Sequence, residues 1–256
     1  MLSGTGASVP VPYSGCTTAE PQPGSRADLR EKPRRPLSST LDAAMTDEEY
    51  LEAQRKARAE SVEFFRSGNK PERERWVAHE YLTNLGVSFT DEELVSSPQD
   101  PPDVLFRGAN FEIKEILSEG RRRHQEYKEG LQKSLEAMTP ADLLEHFTPR
   151  DISIAGVCAL ICNEATALAK EKYTTIAVRK SLDLLFYVNL SDVFGLVEAP
   201  FPELTALESL GYRSVAFVMG YRSSTLAAKG DAPSFITGPL SQIAHRKLND
   251  DAASNL

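Results

Sequence analysis

The chain is poor in soft-metal ligands and disulfide partners: 256 residues carry three cysteines and four histidines, with no Cys-x-x-Cys pair. A structural zinc site and a secreted disulfide framework are both excluded on that ground. Cys158 and Cys162 stand four apart in an apolar helical stretch, where they read as small buried hydrophobes. His79, His146 and His245 share no ligand-like spacing. No apolar run reaches the roughly 18 residues of a membrane span. The first residues also lack the charged start and continuous apolar core of a secretory signal, so the expected location is cytoplasmic. An excess of positive charge is missing as well. A net charge of -8 and a pI near 5.2 argue against non-specific coating of nucleic acid, which draws its affinity from phosphate neutralisation. An enzyme acting on nucleic acid stays open if its cations cluster locally.

With 41% hydrophobic and 26% charged residues, the length suits one sizeable domain. Residues 1–44 hold Pro10, Pro12, Pro21, Pro23, Pro33 and Pro36 among Gly, Ser and Thr without apolar periodicity. Such a segment buries too little surface to offset its ordering entropy, so a disordered leader is expected there. The ordered domain is expected over 45–256, with Met45 a candidate start.

The spacing predicts a charged helix from Thr46 to about Arg66 and a second helix over Glu72 to Leu85, with Val77, Ala78, Tyr81, Leu82 and Leu85 on one face and Gly86 behind it. Val87 to Phe89 reads as a short strand. A β-hairpin follows, Val104 to Phe106 and Phe111 to Leu117, joined by the turn Arg107-Gly108-Ala109-Asn110. Helices are predicted from Thr139 and again after Thr148-Pro149-Arg150-Asp151. Ser181 to Leu190 and Ser214 to Met219 have the composition of buried strands, with a short helix over Pro202 to Leu210 between them. This order implies an α/β fold, a mixed sheet flanked by helices.

The hairpin carries the chemistry. Alternation along its second strand puts Glu112 and Lys114 on one face and Phe111 and Ile113 on the other. The expectation is that Phe111 and Ile113 face a helix while Glu112 and Lys114 lie at an open surface or sheet edge. Asp103, just before the first strand, falls opposite Glu112. Facing carboxylates repel unless a cation compensates. Asp103 and Glu112, with the Ile113 carbonyl, would hold Mg²⁺ or Mn²⁺, and Lys114 would position water and stabilise charge on a phosphate. The competing reading is a strand edge protected by charge, because Glu-x-Lys also occurs at Glu126-Tyr127-Lys128. Arg121, Arg122, Arg123 and Lys128 follow the hairpin as a basic surface that could contact a nucleic-acid backbone. The competing reading there is a solvated helix face with internal ion pairs.

Pro102-Asp103 and Glu112-Ile113-Lys114 resemble the motif of the PD-(D/E)XK nuclease superfamily. More closely, residues 45–243 resemble a bacterial family of unknown function described as endonucleases, through Glu72-Arg73-Glu74-Arg75-Trp76-Val77, Pro101 to Phe106 and Glu119-Gly120-Arg121-Arg122. The resemblance implies a restriction-endonuclease-like α/β core. It also implies metal-dependent hydrolysis of phosphodiesters in DNA, and a further acidic ligand from the helix before the sheet. Glu74 is in phase for that role and Glu80 is the alternative. Gln125 is a further polar candidate. Two-strand cutting would call for a homodimer. The other classes are a nuclease-fold protein that has lost turnover and serves in nucleic-acid binding or regulation, and a protein-interaction module with charged edge strands.

Overall fold

A computed structural model of the chain describes residues 45–145 and 148–247. The expected leader at 1–44, His146 and the end of the tail lie outside the described residues. In chain order the elements are α1 (Asp47–Phe64), α2 (Lys70–Asn84), β1 (Val95–Ser96), β2 (Val104–Phe106), β3 (Ala109–Leu117), α3 (Arg123–Glu136), β4 (Arg150–Ser153) and α4 (Ile154–Glu171). The second half adds α5 (Ile176–Lys180), β5 (Asp183–Asn189), β6 (Val193–Val197), α6 (Thr205–Ser209), β7 (Ser214–Met219), β8 (Arg222–Ala228), α7 (Ser234–Thr237) and β9 (Ala244–His245).

Local chemistry sets the ends of these elements. Thr46 caps α1 through a reciprocal box with Glu49, which satisfies two otherwise orphaned amides. Pro71 sits in the first turn of α2, where its missing N–H is not needed. Ser153 Oγ accepts the Gly156 amide at the start of α4. The hairpin turn is tighter than the four residues expected. Phe106 pairs with Ala109, so only Arg107 and Gly108 turn, both at positive φ (41° and 83°). That geometry matches the right-handed twist of the flanking strands. Arg107 is held there by two hydrogen bonds to Glu93 at 2.6 and 2.7 Å.

The main sheet has the order β1-β2-β3-β5-β7-β8-β9, with β3–β5 and β5–β7 parallel and its other pairs antiparallel. It is a mixed sheet flanked by helices, as the order of elements implied. Alternation along the strands then divides the core in two. Phe111, Ile113, Leu185, Ala216 and Val218 pack with Val77, Ala78, Tyr81 and Leu82 of α2. Leu184, Phe186, Val188, Val215 and Phe217 pack with Ile154, Val157, Cys158 and Ile161 of α4 on the other face.

Several expectations are corrected. Val87 to Phe89 is not a strand; Val95–Ser96 is. The helix expected after Thr148-Pro149-Arg150-Asp151 is α4, but Arg150–Ser153 ahead of it pairs in parallel with β6 as a separate two-stranded sheet, and β8 and β9 complete the main sheet's far side. The larger correction concerns β3. It is an inner strand between β2 and β5 rather than an edge, and Glu112 is fully buried. Charge protection of an open edge therefore does not account for Glu112.

One buried ion pair locks the three central strands. Asp183, at the start of β5, accepts from the Asn110 amide at 2.8 Å, Ser214 Oγ at 2.7 Å and Arg213 Nε at 3.0 Å. Arg213 also donates to the Gly108 carbonyl at 3.0 Å, so hairpin, β5 and β7 meet at one carboxylate. Asp183 is 1% exposed. Arg213→Met should then cost about 3–5 kcal/mol, because it strands a buried charge. Urea unfolding would measure this, and a loss under about 1 kcal/mol would deny the pair that role.

Candidate active site

The hairpin brings its three charged residues together. Because Val104 pairs with Phe111, Asp103 falls opposite Glu112. The Asp103 amide donates to the Phe111 carbonyl at 2.9 Å, and its Oδ2 accepts the Ile113 amide at 2.8 Å. One carboxylate is thus clamped to the backbone of the strand that carries Glu112 and Lys114. Oxygens of Asp100, Asp103 and Glu112 lie within 4.8 Å of one another. Lys114 Nζ donates to Glu112 Oε1 and, at 3.2 Å, to the Ile113 carbonyl.

Glu112 points toward the C-terminal end of α4. There the Tyr173 hydroxyl donates to Oε1, and Lys172 Nζ lies 3.3 Å from the same oxygen. Burial first, and the bond to Glu112 second, push the Tyr173 phenol far above its ordinary value, so it stays a donor. Three donors crowd Oε1 while Oε2, equally buried, has no partner. An unsatisfied buried carboxylate oxygen is expensive, roughly 1–3 kcal/mol or more, and it is the place where a cation would be most favourable.

Glu74 joins from the α2 side of the sheet. Lys70 Nζ bridges it to Asp103, 2.9 Å from Glu74 Oε1 and 3.3 Å from Asp103 Oδ1. Burial raises the Glu74 carboxyl above its usual value, opposed by the Lys70 bond and reinforced by the charge of Asp103. The bond to Glu74, then the charge of Asp103, hold the Lys70 ammonium well above its own ordinary value. Glu80, the alternative, pairs instead with Arg246 at 2.6 Å. Together Asp100, Asp103, Glu112 and Glu74 face Lys70, Lys114 and Lys172, which leaves one net negative charge.

Asp100, Lys70, Lys172 and Tyr173 were not singled out from the sequence. Asp100 stood in a polar loop with no pattern to mark it, and Lys70 sits an (i, i+4) step before Glu74. Lys172 and Tyr173 lie 60 and 61 residues from Glu112, and only the packing of α4 on β3 brings them in.

The basic stretch is divided. Arg121 bonds Glu126 and the Asn189 carbonyl, and Arg123 pairs with Glu115. Gln125 donates to Glu129 at 2.8 Å. Arg122 and Lys128 are exposed. Trp76 packs edge-on against Tyr187, ring centres 5.3 Å apart.

Tyr173→Phe keeps the ring but removes the hydroxyl donor from a fully buried carboxylate. The expected loss of stability, measured by denaturant in EDTA, is about 1–3 kcal/mol. A change below about 0.5 kcal/mol would show that Glu112 does not depend on the phenol.

No curated protein matches the chain. Among solved structures, a protein of unknown function from Pseudomonas aeruginosa strain PAO1, described as of the monooxygenase superfamily, is similar with a TM-score of 0.55 and 26% identity, over 80% of this chain and 98% of that one. A family model described as "Putative endonuclease, protein of unknown function (DUF1780)" matches residues 46–250. That span takes in both cores and every residue of the acidic cluster, and the chain belongs to this family.

Proposed function

We propose that the protein is a metal-dependent endonuclease of the PD-(D/E)XK type, with a restriction-endonuclease-like core, that hydrolyses phosphodiester bonds in DNA. The observation that carries this reading is the convergence of Asp100, Asp103 and Glu112 oxygens within 4.8 Å, with Lys114 on one oxygen of a buried Glu112 whose other oxygen has no partner. The family description supports the nuclease class. The cluster of Asp100, Asp103 and Glu112 offers oxygen alone, which suits a hard cation such as Mg²⁺ or Mn²⁺ better than the imidazole-rich sets of redox metals. That chemistry favours hydrolysis over the redox class named for the structural neighbour.

Asp103 and Glu112 would hold the ion, with Asp100 at the solvent side, and the Ile113 carbonyl is available once Lys114 yields it. A bound divalent ion supplies Lewis acidity at the phosphate and eases deprotonation of the attacking water. The chain's own groups do the rest. Lys114, anchored by Glu112, positions water and stabilises negative charge developing on the phosphoryl oxygens. Lys172 adds a second ammonium on the same side. Tyr173 and Lys172 fix the Glu112 rotamer, and Lys70 keeps the paired carboxylates of Glu74 and Asp103 from repelling each other. Water oxygen bonds to phosphorus, one ester P–O bond breaks, and the leaving oxygen takes up a proton. Arg122 and Lys128 extend the surface on which the backbone would lie, with Arg121 and Arg123 shaping it from beneath. A cytoplasmic location and a homodimer for two-strand cutting belong to the same proposal.

The test is a cleavage assay on plasmid, linear and branched DNA with Mg²⁺ or Mn²⁺. Wild type should nick or cut, and EDTA, Lys114→Ala and Glu112→Gln should each lower the rate at least about 100-fold. Equal traces from all three proteins would sink the proposal. A second readout is thermal. Mn²⁺ should raise the melting temperature of wild type and leave Glu112→Gln unmoved.

A further inference from the structure

On the α2 side of the sheet, directly behind the acidic cluster, lies a pocket of about 170 Å³. It shares Lys70, Glu74 and Ile113 with the site already described. Its other walls divide by chemistry. Trp76 and Tyr187 form an aromatic corner, and Arg73 and Arg123 supply two guanidinium groups. Phe65 also lines it, but both ring faces are occupied, by Tyr127 stacked at 4.5 Å and by the Arg123 guanidinium at 4.2 Å. Trp76 meets Tyr187 edge to face, and Phe64 likewise at 6.2 Å, and both Trp76 and Tyr187 are only half-buried, so part of each ring stays open to a guest.

The charges in the pocket are unevenly matched. Arg123 is paired with Glu115, and Lys70 with Glu74. Arg73 donates only to the carbonyls of Phe64 and Arg66, so among the described residues no carboxylate forms an ion pair with it. Burial, and then the nearby Arg123 charge, pull the Arg73 guanidinium below its ordinary value. The lining carries three cations, Lys70, Arg73 and Arg123, against two carboxylates, Glu74 and Glu115, and this excess of positive charge favours an anion. The volume is well under the roughly 300–1,000 Å³ of drug-sized pockets and suits one planar ring.

We propose that this pocket seats one unpaired nucleotide of the substrate, its base against Trp76 and Tyr187 and its phosphate on Arg73 and Arg123. Stacking is indifferent to base identity because every base has a π face. A base inside a duplex cannot reach the corner without leaving its stack. The inference rests on the nuclease reading and narrows it to substrates with unpaired residues, such as single strands, flaps or bulges. A free mononucleotide presents the same base-plus-phosphate chemistry, so the test separates the two.

Trp76 is the sole tryptophan of the chain, so its emission reports the pocket directly. The full chain in EDTA, where no cleavage intervenes, is titrated with a single-stranded oligonucleotide, the blunt duplex of the same sequence, a 5′-mononucleotide and inorganic phosphate. The expected result is saturable quenching by the single strand, about tenfold or more tighter than by the duplex, and none by phosphate. Arg73→Ala should weaken it about tenfold. Should that variant fail to fold, having lost its bonds to the chain end of α1, Arg123→Gln with an unchanged circular dichroism spectrum serves the same purpose. Tighter binding of the oligonucleotide than of the mononucleotide identifies a strand as the occupant, and equal binding identifies the free nucleotide. Absence of saturable quenching by either, quenching as tight with duplex, or quenching unaltered by the Arg substitutions overturns the pocket. Quenching without metal-dependent cleavage leaves the pocket and removes the nuclease reading; cleavage without quenching does the reverse.

Discussion

The site depends on one enclosed carboxylate. Glu112 is fully buried, carries three donors on one oxygen and none on the other, and sits on an inner strand that cannot move without disturbing β2 and β5. A charge held this way forces its surroundings to supply compensation. Lys114, Lys172 and Tyr173 come from the same strand and from the end of α4, and their placement makes sense only in relation to it. The C-terminal end of α4 adds the negative end of its peptide dipoles nearby, which biases the enclosure toward cations.

The sheet serves as a partition with chemistry on both faces. Glu112 and Lys114 look toward α4, while Ile113 and Glu115 look toward α2 and line the aromatic pocket. Asp103 links the two, since its side chain accepts the Ile113 amide on the strand and pairs with Lys70 from α2. A substrate held at the acidic cluster would therefore also touch groups from both helical layers. The Asp183 network, next to Glu112 at the start of these strands, keeps their register, and with it the facing of every side chain on β3.

Much of the site was legible because it is local. Asp103, Glu112 and Lys114 fall within twelve residues, strand alternation fixes which of them share a face, and hairpin pairing brings Asp103 opposite Glu112. Glu74 was legible through helical phase, since four turns of α2 carry a clear apolar stripe. The strands β5 and β7 were legible from composition, as runs buried on both faces read as continuous apolar segments. The strands that escaped were short or polar. Arg150–Ser153 follows a Thr-Pro that also suits a helix start, and Arg222–Ala228 is rich in serine, which the buried bonding of Asn84 to Ser223 and of Tyr81 to Thr225 accommodates.

The sequence by itself determined the hairpin and its charged triplet, the amphipathic α2, the apolar central strands and the class of fold, because each follows from the repeat of a helix or a strand within a few residues. Only the tertiary structure decided that Glu112 is enclosed rather than open, that Lys172 and Tyr173 reach it from 60 and 61 residues away, and that Arg73, Arg123, Trp76 and Tyr187 share one pocket. Those outcomes depend on how α2 and α4 seat on opposite faces of one sheet, a packing choice that no local periodicity encodes.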